Sequence, residues 1–246
     1  MKSAFTLIEL LVVISIVSLL SSIILPSIND ARDKARISAL IKFDISSRNA
    51  IADGLVAEFN FDDPTELYNN SYNTVNASPV GTPEWSPNGV MAGALKLDSE
   101  YLNTNLNPEA LKINNEQTIS FWFKTDSQSS FEGLVGSAQR SPERGITMLT
   151  NGSSNLRVYH GDNTAGSTYR SYNVGKLNDN KWHHVLLSTK DNTSTLYFDG
   201  KKINNVYTRN RINSEHPFLI GRWMYNYRYN FNGLIDEVRI YNKALD

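Results

Sequence analysis

A chain of 246 residues, 40% apolar and 20% charged, has room for one sizeable β domain and an appendage. Its formal charge of −1 offers no broad basic field for nucleic acid, so none is expected as a partner. The lack of cysteine excludes disulfides, thiol catalysis and thiolate metal sites. The first element, residues 4–28, carries a single charge, Glu9, and is long enough to cross about 30 Å of hydrocarbon as a helix. A cleaved secretory signal fits it poorly, because signal cores run to about 15 residues and end in a small-residue site, whereas this stretch leads straight into more helix. An uncleaved anchor accounts for the apolarity but not for Glu9, whose burial costs on the order of a few kcal/mol unless a partner neutralises it. Pro26 predicts a kink or local melting near Leu25, or simply the end of the span. Residues 29–53 read as an amphipathic stalk helix, with Ile37, Leu40, Ile41, Ile45, Ile51 and Ala52 forming a stripe suited to packing on the β domain. As nearly one helix, residues 5–52 would reach about 70 Å at about 1.5 Å per residue.

Gly54 ends the helical pattern, and the chain becomes rich in Asn, Ser, Thr and aromatic residues. Strands are expected at residues 55–61, 94–97, 118–124, 131–137, 146–150, 156–160, 182–189, 194–198, 217–221 and 233–241. About ten short strands separated by turn residues predict a mainly β fold, an antiparallel sandwich or jelly roll rather than a parallel α/β sheet. In residues 118–124 (TISFWFK), Ile119, Phe121 and Phe123 fall on one face and Ser120, Trp122 and Lys124 on the other, the pattern of a half-buried strand. Asp199-Gly200 predicts a tight hairpin turn that joins Leu196–Phe198 to a segment beginning at Lys201.

The run KSAFTLIELL from Lys2 to Leu11 resembles the leader of type IV prepilins and pseudopilins. The resemblance implies a leader of residues 1–4, cleaved between Ala4 and Phe5 by a prepilin peptidase that also methylates the new amine. Glu9 then matches the carboxylate that pairs with the α-amine of a neighbouring subunit, which supplies the compensation a buried charge requires. The family usually has Gly where this chain has Ala4, which bears on the efficiency of the cut. Residues 5–28 would be the transmembrane and filament-core helix. Before assembly the chain would sit in membrane lipid as a single-pass protein of the bacterial cytoplasmic membrane, with its C-terminal domain outside. Afterwards it would join other pilin subunits in a surface or periplasmic filament.

Downstream, GLVAEFNFDD, GVMAGALKLDSEYL, TISFWFKT, WHHVLLSTKDNTSTLYFDGKKI, FLIGR and FNGLIDEVRIYNKAL resemble, in that order, the laminin-G-like, concanavalin A-type jelly roll over residues 54–246. Residues 68–85 and 223–229 depart from the pattern as family-variable loops, where binding specificity usually resides. The resemblance implies a lectin-like domain, no required cofactor, and a structural Ca²⁺ site with Asp62, Asp98 and Asp236 as ligands, against the alternative that these acids cap turns or face solvent.

The superfamily includes glucanases, but no E-x-D-x-E strand occurs here, and Asp236-Glu237 would place its carboxylates on opposite faces of a regular strand. His183 and His184 read as structural, His160 and His216 lack partner spacing, and no phosphate loop or G-x-S-x-G occurs, so no enzyme activity is expected. Between Arg222 and Phe231, the rings of Trp223, Tyr225, Tyr227, Tyr229 and Phe231 alternate with Met224, Asn226, Arg228 and Asn230. An extended strand would set these rings on one side, suited to a glycan or a surface protein, with Trp223, Tyr225, Tyr227, Arg228 and Tyr229 as ligand-binding residues; the alternative is that the rings fill the sandwich or cover the stalk. Tyr159, Tyr169, Arg170 and Tyr172 would extend such a surface. The expected function is a minor pilin or pseudopilin that displays a lectin-like domain for adhesion or recognition. The alternatives are a tethered binding domain outside any filament, or a hydrolase on the same fold.

Overall fold

The computed structural model describes residues 6–140, 143–162, 168–208, 213–223 and 229–245. Helix α1 (Leu7–Ala50) comes first, and the chain divides into two compact units after Lys42. In the first unit Leu7, Ile8, Leu11, Ile14, Val17 and Ile23 are all exposed, as suits a helix made for an apolar surround. It is long and apolar enough to cross a membrane. The helix runs unbroken through Pro26, so the local melting expected there does not occur. A proline deletes one i→i−4 hydrogen bond, and the flanking ones carry the helix across.

The second unit begins at Phe43 and contains two antiparallel sheets. Strands are numbered in chain order. The first sheet runs β14 (Lys201–Thr208), β13 (Thr193–Phe198), β12 (His183–Lys190), β6 (Glu116–Lys124), β16 (Asn232–Tyr241), β4 (Ala94–Asp98), β3 (Glu84–Ser86), with β1 (Leu55–Phe59) also on β16. The second runs β11 (Thr168–Asn173), β10 (Asn155–Asp162), β9 (Glu143–Asn151), β7 (Phe131–Gly136), β15 (Leu219–Ile220), β5 (Tyr101–Asn103), β2 (Ser78–Val80), with β8 (Gln139–Arg140) on β9. Between them lies one core, with Phe59, Phe121, Val185, Ile235 and Ile240 from the first sheet meeting Val135, Met148, Leu156 and Val158 from the second. The strands expected from alternation are present. Residues 68–85, expected as a loop, also contribute the short edge strands β2 and most of β3.

Two local features arise from single residues. Asp199 (φ 46°) and Gly200 (φ 70°) both take left-handed backbone, the type I′ requirement, and Phe198 pairs with Lys201 across the turn. Strand β16 changes partner midway: Leu234 and Ile235 pair with β4, Val238 to Tyr241 pair with β1, and a bulge lies between Asp236 and Arg239 with Glu237 at φ 51°. That bulge removes the regular pleat on which the opposite-face placement of Asp236 and Glu237 depends.

Strand β6 is buried on both faces, not half-buried as its alternation suggests: Trp122 is 0% exposed. The cover over Trp122 comes from the end of α1 within this unit, where Asp44 meets the Trp122 indole and Ser47, one turn on, is also buried, as is Ile51 just past the helix end. Ile45, placed by the sequence on the packing stripe, is 45% exposed. The face turned to the sheet is set by the polar Asp44, as its partners make clear.

Candidate functional site

Asp44 is the centre of a buried polar cluster. Its Oδ2 accepts from Arg239 Nη1 at 3.0 Å and from Trp122 Nε1 at 3.4 Å, while Oδ1 accepts from Ser120 Oγ at 3.5 Å and lies 3.3 Å from His184 Nε2. Arg239 in turn donates through Nε to Glu58 Oε1 at 2.7 Å and pairs with Glu237. Arg48, from α1, meets the same Glu58 oxygen at 3.3 Å. Burial alone would raise the Asp44 carboxyl, but His184, Arg239 and Trp122 outweigh it and hold the group at about 2. The last turns of α1 are thus fixed to the sandwich by a buried ionic cluster centred on Asp44, in which His184 Nδ1 is left without a hydrogen-bond partner. Phe43 adds an edge-on contact to His184 at 5.7 Å.

Both histidines of β12 are structural in this setting. His184 Nε2 lies 2.9 Å from Ser120 Oγ, and His183 sits between Asp199 Oδ2 at 3.0 Å and Asp179 Oδ1 at 3.2 Å.

At the other end of α1, Thr6 and Glu9 form a reciprocal capping box. Glu9 Oε2 accepts from the Thr6 N–H at 2.8 Å and from the Thr6 hydroxyl at 2.7 Å, and the Glu9 N–H donates to Thr6 Oγ1 at 3.3 Å. In the isolated chain the Glu9 carboxylate is therefore held at the helix start by its own first turn. Ala4 and Phe5 lie outside the described residues.

The acids expected to bind calcium are not brought together as one set: among the described residues no group of three or more His, Cys, Asp or Glu side chains is arranged to hold a metal. Asp98 accepts from Asn232 Nδ2 at 2.9 Å, at the opposite end of the β4–β16 pairing from Asp236. Asp62 and Asp236 do sense each other. Asp236 is fully buried in the gap where β16 changes partner, accepting from the Val90 N–H at 2.7 Å and from the Glu237 N–H at 2.7 Å. Burial, reinforced by the charges of Asp62 and Asp44, pushes its carboxyl up to about 8 against the pull of Val90 and Arg239. Asp62 Oδ1 is buried without a hydrogen-bond partner. Two repelling carboxylates with an orphaned oxygen are a donor set that suits a hard divalent cation.

The aromatic run is also rearranged. Arg222 and Asn230 form an antiparallel bridge and the Trp223 N–H donates to the Tyr229 carbonyl at 3.3 Å, so the chain doubles back instead of extending. The expected row of rings on one side is broken: Phe231 turns into the sandwich core, edge-on to Phe123 at 6.3 Å, while Trp223 lies over the outer face of the second sheet. Met224, Tyr225, Asn226, Tyr227 and Arg228 lie outside the described residues. Gly133 explains the close approach, since a Cβ there would run into the Trp223 backbone nitrogen. Trp223 stacks on Tyr229 at 5.4 Å and meets Tyr159 at 5.6 Å, and Tyr229 meets Phe131 at 5.3 Å. Tyr159 and Tyr172, expected on a surface, are buried, and Tyr169 is 46% exposed.

Sequence reasoning did not single out Asp44, Glu58 and Arg239, or the role of Arg157 and Phe131 beside Tyr169. The alternation of Arg157 with Tyr159 and of Tyr169 with Ser171 held the only signal for the latter.

The sequence model of the concanavalin A-like lectin/glucanases superfamily matches residues 98–246, and that of the prokaryotic N-terminal methylation motif matches residues 1–25. No curated protein matches the chain in sequence. Among solved structures, domain 4 of AbnA, a GH43 extracellular arabinanase from Geobacillus stearothermophilus, in complex with arabinotriose, is 18% identical over 78% of this chain and 94% of that one, with a TM-score of 0.61. The binding domain of botulinum neurotoxin serotype D/C is 16% identical over 79% of this chain and 50% of its own, with a TM-score of 0.61. A Trypanosoma rangeli sialidase mutant is 17% identical over 84% of this chain and 36% of its own, with a TM-score of 0.58. At such identities the likeness concerns the fold.

Proposed function

Since the chain belongs to the concanavalin A-like lectin/glucanases superfamily and carries the prokaryotic N-terminal methylation motif, we propose that it is a minor pilin or pseudopilin that polymerises through α1 and displays a lectin-like domain for adhesion or recognition. The observation that carries this reading is the joining of the two matched parts in one chain, with the end of the polymerising helix locked into the sandwich through Asp44. In this reading residues 1–4 are the leader, 5–28 the membrane and filament-core helix, 29–53 the stalk, and 54–246 the displayed domain. The peptidase cuts between Ala4 and Phe5, and the methylated amine of one subunit neutralises Glu9 of the next. Glu9 exchanges its local Thr6 contacts for that charge pair, which is worth more in an apolar filament core than in water. The chain starts in the cytoplasmic membrane with its C-terminal domain outside and ends in a surface or periplasmic filament.

The domain's part is binding. Its structural neighbours include an arabinanase domain in complex with arabinotriose and a neurotoxin binding domain, which supports a glycan or a cell-surface protein as ligand. A hydrolase is disfavoured by geometry, because the buried Asp236 is closed to a polysaccharide chain. Asp62 and Asp236 would hold a structural Ca²⁺, which when bound supplies charge neutralisation between the chain after β1 and the centre of β16; Asp98 takes no part. Mass spectrometry of the protein isolated from cells tests the assembly reading: a mature N-methylated Phe5 terminus supports it, and an intact Met1 or Lys2 terminus contradicts it.

A further inference from the structure

The outer face of the second sheet carries an arginine with an unusual set of neighbours. In the rows that cross β7, β9, β10 and β11, Gly133, Leu149, Arg157 and Ser171 stand opposite one another. The Arg157 guanidinium carbon lies 3.9 Å over the centre of the Tyr169 ring and 5.0 Å over that of Phe131, so aromatic faces orient it. Its Nε donates to Ser171 Oγ at 3.3 Å, and the same hydroxyl receives Asn151 Nδ2 at 3.4 Å. Phe131 is backed by Tyr229, and Tyr229 by Trp223, so the stack leads from a buried base to the exposed Tyr169.

Among the described residues no carboxylate pairs with Arg157. Residues 163–167 and 224–228, which adjoin this face in sequence, contain no Asp or Glu. A guanidinium has five N–H donors in a planar fork, and the Nε–H is the one engaged by Ser171. The two terminal nitrogens form the edge that matches a carboxylate or sulfate in a paired hydrogen bond. A partly buried cation held rigid, unneutralised and flanked by a ring, a hydroxyl and an amide differs from a surface arginine left free to move. The rings and amides suit a pyranose ring and its hydroxyls, and the charge selects an acidic one.

We propose that Arg157, with Tyr169, Ser171 and Asn151, forms a binding site for an acidic saccharide, with the anion on the Arg157 fork and the sugar against Tyr169. The proposal rests on the reading of the domain as a binding module and names its ligand class. Carboxylate and sulfate sugars offer the same anion chemistry, and the assay separates them.

The test uses the full chain in detergent micelles on surfaces coated with polygalacturonate, dextran sulfate, neutral dextran or polyglutamate. Expected is binding to one or both anionic polysaccharides that weakens as salt rises, with little binding to dextran. Arg157→Ala should lower that binding about 10–100-fold, the loss of a paired charged hydrogen bond. Arg157→Lys should recover only part of it, because an ammonium lacks the planar fork. Tyr169→Ala, at an exposed ring, should weaken binding while leaving thermal unfolding unchanged, and so serves if Arg157→Ala does not fold. Equal binding to dextran, equal binding to polyglutamate, no binding to any polysaccharide, or Arg157→Ala and Tyr169→Ala binding like the wild type would each overturn the proposal. Filament incorporation, scored separately in cells, can fail or succeed without changing these results, so the site and the assembly reading stand or fall apart.

Discussion

Replacing Asp44 tests whether an ionic cluster fixes the end of α1 to the sandwich. The carboxyl is held at about 2 in the folded protein against 3.8 as its ordinary value, which corresponds to about 2–3 kcal/mol at about 1.4 kcal/mol per pH unit. Asp44→Asn keeps the shape and removes the charge, so it should lower stability by about that amount; Asp44→Ala also strands the buried Trp122 N–H and takes from Arg239 one of its three carboxylate partners, and should cost about 3–5 kcal/mol. For a domain of this size that is a fall of roughly 5–15 °C in Tm. The sign with pH is fixed. A depressed carboxyl stabilises fully above its unfolded value and loses that stabilisation as pH falls through about 2, so wild-type and Asp44→Asn unfolding curves should converge on acidification. Thermal and urea unfolding of the full chain in micelles, followed by tryptophan fluorescence, reads this through Trp122, whose Nε1 is 3.4 Å from the Asp44 carboxylate. Ile45→Ala, on the exposed side of the same helix turn, should change stability by less than about 0.5 kcal/mol. If Asp44→Asn unfolds like the wild type while Ile45→Ala is the damaging change, the helix docks by its apolar stripe and the cluster argument is wrong.

Asp236 carries the opposite sign. With its carboxyl at about 8 in the fold, the metal-free domain should lose stability as pH rises from about 4 to about 8, and calcium should restore it with release of protons near neutral pH; a flat calcium-free profile, or no calcium effect on Tm, would contradict the Asp62–Asp236 cradle. Gly133→Ala should destabilise by about 1–3 kcal/mol and loosen the Arg222–Asn230 pairing, seen as increased acrylamide quenching of tryptophan, because its Cβ would press on the Trp223 backbone. Glu9→Ala should leave unfolding of the sandwich unchanged yet reduce recovery of the chain in sheared filaments; full recovery would remove Glu9 from assembly.

How much of each feature is legible in the sequence depends on how local that feature is. The apolar helix, the alternating strands and the Asp199-Gly200 turn depend on neighbours a few residues apart, and all are readable. The structural reading of His183 is readable too, although its Asp179 and Asp199 partners are not. Arg239 and Asp44 are 195 positions apart, and only the finished sheet register makes them partners. The half-buried reading of β6 fails for the same reason, since the cover over Trp122 comes from a distant helix end. Asp236 and Glu237 escape the regular pleat through a bulge that no alternation announces. The alternating rings of residues 223–231 look like one extended face, but the Arg222–Asn230 bridge and the turn of Phe231 into the core are contacts that alternation does not announce.

Filaments sheared from cells with and without an active prepilin peptidase show whether this chain is cut before Phe5 and assembled. With an active peptidase the chain should be found in the sheared fraction beginning at Phe5, and without it should stay in the membrane with its leader. Recovery of the leader-bearing form from the membrane in both cells, with none in the filaments, would contradict that expectation.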